Sequence, residues 1–560
     1  MKLLDKIKGF GVIHTKCRDF NTYIQYIDHP IVLKINVRSF KEQKRGEIIG
    51  FKAYDGSKFE TGDNIDDLEM YFKSIIDHYE LKKIKDNTKQ SIIIWTDIIE
   101  KIEGFFAKYI TSRLGKHYIE IMNFIEFRSI KPWDSEVIDL DLDKWYKTIN
   151  SLYRSIFIPN KYFYLTPNQI VRKELQKKIP KDINMKLKSI FPENYASWKI
   201  MRKSLYAGMA VCKYPGLTIN QPIIGIDINS AYIFSMLCMK HPMSNRIIVN
   251  KDEWKNYLNQ NKYISIGTYE ITFINEDLTS ACYKDIHHMS PSYGKQTRIY
   301  VMTSIDLAIF KKINKVKSIT CKSLEIYELD YLPEYVRDTL IEYYIKKCKA
   351  PKDSEERRVA KIKLNGIPGD ASRRCDTLLD YNHIKDTFTL LPQWGITTNA
   401  YCKQILYGLA SKLDGWLYSN TDSIYCLDTV ENREKILNYN NMIESFTLAL
   451  CQEYNYDFES LRNLGKFEID EVCTKFKAFA VNEYIYTTVK GKFVIKAAGH
   501  DKKNQILDES LYDKREIPLG AFLIPRAVPQ NNTYFEYYLR GEFLDLSIHL
   551  GQFVEALLDR

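Results

Sequence analysis

Two short stretches carry the residues best suited to chemistry. In Trp416–Leu427, WLYSNTDSIYCL, two apolar arms flank the polar string Ser419-Asn420-Thr421-Asp422-Ser423. Turn formers between apolar runs predict a hairpin with Asp422 at its tip. Such tips also occur in hairpins that do no chemistry, so a second acid decides the reading. Upstream, Pro222–Tyr232 reads as a buried strand, Ile223 to Ile226, that ends in Asp227 and turns into an apolar segment. Two strand ends that each offer one carboxylate can hold a pair of divalent cations about 3.5–4 Å apart. Such cations activate an attacking hydroxyl and neutralise charge on a phosphate.

A cationic element lies between these acids. Ser354 can cap a helix, Glu355 and Glu356 occupy its first turn, and Gly366 and Pro368 predict its end. Arg357, Lys361 and Asn365 recur every four residues and so share one face. That face either grips a triphosphate or is a solvated basic stripe. Lys347, Lys349 and Lys352 add positive charge just ahead of it.

The elements that must position these groups are partly legible. Pro30–Val37 and Ser91–Trp95 read as buried strands. Asn64–His78 reads as an amphipathic helix with Leu68, Tyr71, Phe72, Ile75 and Ile76 on one face. An alternating α/β layer follows for the first third. Arg172–Lys188 is strongly basic, either a solvated face or a boundary, and the domain break is placed near 190. Tyr263–Phe273 and Ser318–Leu329 are β-rich, a helix runs from Pro333 toward Lys347, and another spans Thr397–Lys412. Lys475–Val494 reads as strand, turn, strand.

At 560 residues the chain exceeds one ordinary core, which implies several domains. A formal charge of +10 is compatible with a polyanionic partner without proving one. The eleven cysteines include no CxxC pair, which argues against a zinc site or disulfide framework and for a reducing compartment. The N-terminus is too broken by charge for a signal peptide, and no apolar run approaches the roughly 18 residues of a membrane helix. The expectation is a monomeric cytoplasmic protein without a membrane partner.

The order of motifs resembles a family. Asp227-x-x-Ser230-x-Tyr232, then Lys361-x-x-x-Asn365-x-x-x-Gly369, then Tyr418-x-Asn-Thr-Asp422-Ser423 are similar to the three polymerase motifs of family B DNA polymerases. Tyr206-Ala-Gly208 and Lys477-Ala-Phe479 resemble two further motifs of the protein-primed branch, found in small phages and linear plasmids. The resemblance covers residues 200 to 500 well and the first third weakly. It implies an α/β and α+β multidomain chain: an exonuclease-like (RNase H-like) domain over 1–190, then a right-hand polymerase domain. Its palm would be 191–240 and 393–510, its fingers 346–370 and its thumb 511–560. Residues 241–345 would be an insertion that contacts a priming protein, and 371–392 a shortened second insertion.

The resemblance also implies roles. Asp227 and Asp422 would be the catalytic carboxylates and hold two Mg²⁺ or Mn²⁺ ions. Lys349, Arg357, Lys361 and Asn365 would bind the dNTP. Tyr232 would exclude a ribose 2′-hydroxyl; the lesser alternative is a core tyrosine. Tyr206, Gly208, Ser230, Thr421, Lys477, Phe479 and Lys496 would contact the DNA primer–template.

Departures from the pattern matter. Asn420 stands where Asp is usual, which removes charge and predicts weaker Mg²⁺ binding and better use of Mn²⁺, unless Asp428 or Glu468 compensates. Pro368 stands where Tyr is usual, and Ile233 where Pro is. In the first third, Lys34 and Asn36 replace the expected Asp-x-Glu pair, Arg128 replaces an acid in the Phe124–Ile130 stretch, and Asn168 replaces Asp in Tyr164–Asn168. Glu103 is the one acid that aligns. The Phe59-Glu60-Thr61 run lacks an apolar strand leading into it. The expectation is a polymerase whose 3′–5′ exonuclease is lost. The alternatives are a weakened polymerase fold kept as a nucleic-acid-binding scaffold, and a template-independent nucleotidyltransferase.

Overall fold

The computed structural model describes residues 23–26, 30–40, 45–81, 83–84, 88–96, 125–129, 141–154, 167–206, 208–258, 262–274, 295–373, 378–497 and 508–514. Glu103, Phe124, Tyr164 and all of 515–560 lie outside them.

The first third is built on a seven-stranded mixed sheet. Its strands are β1 (Tyr23–Tyr26), β2 (Ile31–Phe40), β3 (Arg45–Tyr54), β4 (Phe59–Gly62), β5 (Lys83–Ile84), β6 (Thr88–Thr96) and β7 (Ile125–Ser129). β2 runs antiparallel to β3 and β3 to β4, while β6 runs parallel to β2 and to β7. The IVL and IIIW runs are buried on both faces, as central strands require. Helix α1 (Ile65–His78) starts where Asn64 accepts the N–H groups of Asp66 and Asp67, and it buries Leu68, Phe72 and Ile75 as its periodicity predicts. Helix α2 (Leu142–Arg154) lays Trp145, Ile149 and Leu152 on Val32, Ile93 and Trp95.

Helices α3 (Pro167–Lys178), α4 (Lys181–Ile190) and α5 (Tyr195–Arg202) follow. The basic stretch 172–188 is not a solvated face throughout. Val171, Leu175, Leu187 and Ile190 are buried in one core with Ile224, Ile226 and Trp394, so packing is continuous across residue 190.

The site is carried by an eight-stranded sheet. β8 (Ala210–Cys212), β9 (Thr218–Ile219) and β10 (Ile223–Ile228) enter it first, and helix α6 (Ala231–Cys238) leaves β10. A five-stranded sheet intervenes: β11 (His241–Pro242), β12 (Ile247–Ile248), β13 (Tyr263–Ile274), β14 (Lys295–Thr303) and β15 (Lys315–Asp330), with α7 (Ser304–Ile313) between the last two. The sequence reading found β13 and β15 but not β14 or α7.

Four helices come next: α8 (Glu334–Lys349), α9 (Glu355–Ala371), α10 (Leu378–Thr387) and α11 (Pro392–Ala410). The chain then returns to the site sheet as β16 (Trp416–Asn420) and β17 (Ser423–Leu427), crosses α12 (Val430–Tyr454), and ends the sheet with β18 (Phe467–Ala480), β19 (Glu483–Thr488) and β20 (Phe493–Ala497). The order is β20-β19-β18-β10-β17-β16-β8, with β9 on β18. The predicted strand pair over Lys475–Val494 is three strands, because Asn482, at φ 66°, makes an extra tight turn.

Helix α9 overruns its predicted end. Pro368 lies inside it, at the cost of one backbone hydrogen bond, and the helix continues to Ala371. Gly366, Ile367, Pro368, Asp370 and Ala371 are all buried, so packing overrides the stop signals.

Candidate active site

β10 is an apolar strand with β-branched residues, buried from Ile223 to Ile226, that delivers Asp227 near its end. On one side β17 pairs with it and sets Asp227 opposite Ser423. The hairpin tip is tighter than the predicted polar string: Ser419 and Ser423 lie in strands, leaving Thr421 and Asp422 as the turn. Thr421 takes a left-handed φ of 59°, and its N–H donates to the Met209 carbonyl at 2.9 Å. The Ile228 N–H donates to the Asp422 carbonyl, also at 2.9 Å. These bonds tie the two acid-bearing segments together.

Gly208 explains why the Tyr206–Gly208 motif needs a glycine. A Cβ there would stand 2.7 Å from Thr421 Oγ1 and 2.9 Å from its Cα, so only a bare backbone lets the hairpin turn approach. Tyr206 contributes its carbonyl, which accepts from Lys403 Nζ at 3.3 Å.

Asp227 and Asp422 repel each other across the sheet edge. Burial pushes the Asp227 carboxyl up to about 8, and Asp422, Asp470 and Glu468 push in the same direction, while Lys347 opposes them. Burial also raises Asp422, against its own backbone N–H and Lys361. On the other side of β10, Glu468 of β18 is the register partner of Asp227. Asp470 sits at the bulge between Ile469 and Glu471.

Two lysines face these acids, and Arg357 adjoins them. Lys347 Nζ donates to Ser230 Oγ at 2.8 Å. Arg357 Nη1 donates to the Lys347 carbonyl at 2.6 Å, which locks α9 to the end of α8. Lys361, one turn further along α9, acts on Asp422. Burial lowers the Lys347 ammonium, and the nearby Arg357 and Lys361 charges add to that, so the cluster is set up to receive negative charge. Ser230, at φ 58°, opens α6, and Tyr232 is half-buried one residue inside it. Its phenol is raised by burial first, then by Cys402 and by the charge of Asp422.

Not every predicted site residue joins this cluster. Lys349 is exposed and lines a separate cleft with Cys348, Glu459, Ser460 and Asn463, touching the site only through Asn229 on its rim. The reason is helical: two residues past Lys347 is about 200° around the axis. Asn365 continues the Arg357–Lys361 face but is exposed. Lys477 is buried and donates to the Tyr512 and Lys514 carbonyls, both at 2.7 Å. Phe479 packs with Ile485, Leu511 and Tyr512, and Lys496 is exposed on β20. Lys347 and Glu468 are the residues that the sequence reading left unassigned. Lys347 was hidden in a run of lysines. The signal for Glu468 was the acid-rich strand Glu468-Ile-Asp470-Glu471.

Among the described residues no three His, Cys, Asp or Glu side chains form a closed metal cage. Mg²⁺ does not require one, since it is usually held by one or two carboxylates plus substrate phosphates and water. Two half-buried, mutually repelling carboxylates are a donor set that fits such a cation.

No family model and no curated protein matches the chain. Solved structures do. Phi29 DNA polymerase complexed with primer-template DNA aligns over 85% of this chain and 93% of that chain, at 12% identity and a TM-score of 0.54. The orthorhombic crystal form of Phi29 DNA polymerase covers the same shares at 12% identity and a TM-score of 0.55. Its complex with single-stranded DNA gives 13% identity, 85% and 93% coverage, and a TM-score of 0.51. At these identities the likeness is one of fold, and the chain has the multidomain α/β fold seen in these DNA polymerase structures.

Proposed function

We propose that the chain is a DNA-directed DNA polymerase that adds dNMP to a primer hydroxyl. The observation that carries this is the meeting of Asp227 and Asp422 with Lys347 and Lys361, with Arg357 next to Lys347, in a fold shared with Phi29 DNA polymerase. Asp227 and Asp422, with Glu468 alongside, would hold two Mg²⁺ ions. When bound, these supply a lowered pKa for the primer hydroxyl and charge neutralisation on the triphosphate. Arg357 and Lys361 draw the phosphates toward the acids, and Lys347 steadies Ser230 at the start of α6. Tyr232 bounds the sugar. Thr421 and Gly208 keep the hairpin turn against the template side.

The finer reading follows the motifs: the protein-primed branch of family B, replicating a linear viral or plasmid genome in a cytoplasm as a monomer. The segment 241–345 would receive the priming protein, α9 would belong to the fingers, and the sheet of β8–β10 and β16–β20 would be the palm. The order β4-β3-β2-β6-β7 supports an RNase H-like exonuclease fold for the first third. Asn420 and Pro368 favour a second reading, a weakened polymerase fold acting as a DNA-binding scaffold.

Incubating the protein with primer–template, the four dNTPs and Mg²⁺ or Mn²⁺ separates the readings. Template-directed extension, lost in Asp227→Ala and Asp422→Ala while DNA binding persists, supports the polymerase. Binding without extension supports the scaffold, and extension indifferent to template sequence supports the template-independent enzyme.

A further inference from the structure

Helix α9 presents two working faces, because consecutive residues differ by about 100° around a helix. Lys361 turns toward Asp422, and Arg357 turns toward the end of α8, where it holds the Lys347 carbonyl. Arg358, Ile362, Lys363 and Asp370 turn the other way, into the first third of the chain. Arg358 Nε donates to Thr148 Oγ1 of α2 at 2.9 Å. Ile362 is buried among Val32, Ile93, Trp95 and Trp145. Lys363 Nζ meets Glu174 of α3 at 2.5 Å, and Glu174 also accepts the Tyr343 hydroxyl of α8. Arg172 grips Asp370 through Nη2 at 2.5 Å and Nε at 3.1 Å, with both side chains nearly or fully buried. Gly369 lies so close to α3 that a Cβ would stand 3.0 Å from Asn168 Nδ2.

This is more than docking needs. Buried ion pairs are poor sources of net stability compared with apolar packing, yet they fix geometry when fully hydrogen-bonded. Three polar ties, through Arg358, Lys363 and Asp370, are spread over about three turns and set both the rotation and the height of α9. Because Arg357 and Lys361 are interleaved with the tied residues, a small roll of α9 would carry Lys361 off Asp422 and Arg357 off Lys347.

We propose that α2 and α3 are a fixed brace for the phosphate-binding face of α9, with Thr148, Arg172 and Glu174 as positioning residues for Arg357 and Lys361. The inference rests on the polymerase reading and gives the first third of the chain a part in nucleotide binding that is independent of any nuclease chemistry.

Steady-state incorporation of a single dNTP on a primer–template tests it. Glu174→Gln keeps the shape but removes the charge facing Lys363. Arg172→Met leaves Asp370 its second partner, Arg373, at 3.1 Å. Each is expected to raise the KM for dNTP about tenfold, with kcat and primer–template Kd within about twofold, and Arg172→Lys should recover most of the loss. A purely structural role would lower Tm and the active fraction without moving KM. Where either variant fails to fold by circular dichroism, Thr148→Val, which deletes one acceptor, takes its place with a smaller rise in KM. Folded variants with unchanged KM overturn the brace. A wild-type protein that incorporates no dNMP overturns the polymerase reading itself, and the brace with it.

Discussion

Glu468 stands directly opposite Asp227 across the β10–β18 ladder, and its carboxylate accepts the Asn229 amide at 2.9 Å. Asp428, the other acid that the sequence left unplaced, is taken by Arg433 through two bonds of 2.6 and 2.8 Å at the far end of β17. Asn420 donates its amide to Asn482 Oδ1 at 2.8 Å and accepts from the Thr421 hydroxyl. Of Asp428 and Glu468, Glu468 is therefore the one placed to offset the charge missing at Asn420. Glu468→Gln is expected to raise the Mg²⁺ concentration for half-maximal incorporation about tenfold, and Asn420→Asp to shift it by less than about twofold. Incorporation rates titrated with Mg²⁺ and Mn²⁺ check both. A larger response at 420 than at 468 would return the metal preference to Asn420.

The burial of Asp227 and Asp422, with the charge of Asp422 adding to it at Asp227, has a consequence for stability. In the unfolded chain both carboxyls ionise near 4. In the metal-free fold Asp227 is pushed up to about 8 and Asp422 to about 6. The fold therefore binds protons that the unfolded chain releases, so this contribution is present at low pH and lost as pH rises through those values. In EDTA, Asp227→Asn should melt above wild type at about pH 9, with the gap closing by about pH 5. Mg²⁺ binding should release protons and weaken as pH falls over the same window. Parallel melts of the two proteins across pH test this, and a gap independent of pH would refute it.

Lys347 and Lys349 are a matched pair for testing which lysine of the run serves the site. Lys347 holds Ser230 and faces Arg357 and Lys361, whereas Lys349 lines the outer cleft. Lys347→Met is expected to raise the KM for dNTP by about tenfold or more, and Lys349→Met by less than about twofold. Equal effects would mean that helix α8 does not sort them.

Much of this site was legible because its strands are short apolar runs that end in acids. Ile223–Asp227 and the hairpin around Asp422 each announce a strand and a carboxylate within a dozen residues. The four-residue spacing of Arg357, Lys361 and Asn365 gave the cationic face in the same way. What stayed hidden depends on pairing between distant segments. No local pattern shows that Glu468 registers with Asp227, or that Lys347 and not Lys349 meets Ser230. The end of α9 was misread for the same reason: Gly366 and Pro368 are stop signals only where packing does not override them, and here Arg172 holds Asp370 beyond them. The small β14–α7 unit was missed because the strand Lys295–Thr303 mixes charges into its apolar alternation.

Tyr232 bears on sugar choice. It follows Ala231 at the start of α6, half-buried beside Cys402 and within the field of Asp422. Tyr232→Val removes the ring without disturbing the buried Ile233 and Phe234 that anchor the helix. The variant is expected to lower the dNTP over rNTP preference by about 100-fold or more, read from the ratio of kcat/KM for each. An unchanged ratio would show that another group excludes the 2′-hydroxyl.

Proofreading is the last function at stake, and we propose that the first third of the chain does not supply it. A two-metal nuclease needs several carboxylates on one sheet face to hold its cations. On β2 one position expected to be acidic is Lys34, and its antiparallel partner on β3 is Lys52, so two lysines are register partners on neighbouring strands. The Lys52 ammonium lies 4.5 Å from the centre of the Phe59 ring. Arg128 is the register partner of Trp95 on the next strand. Glu60, from the run that mimics the motif, lies on the short strand β4 and pairs with Lys58 at 2.7 Å, half-exposed. Asn168 is spent at the interface between α3 and α9, against Gly369. On this proposal Lys34 and Lys52 disfavour a metal ion on this face, and restoring one acid would not rebuild the set. The protein is expected to leave labelled single-stranded DNA intact over hours with Mg²⁺ or Mn²⁺, and Lys34→Asp is expected not to create cleavage. Metal-dependent shortening from the 3′ end by wild type, abolished by changing an acid in the first third of the chain, would show that the nuclease survives on residues other than these.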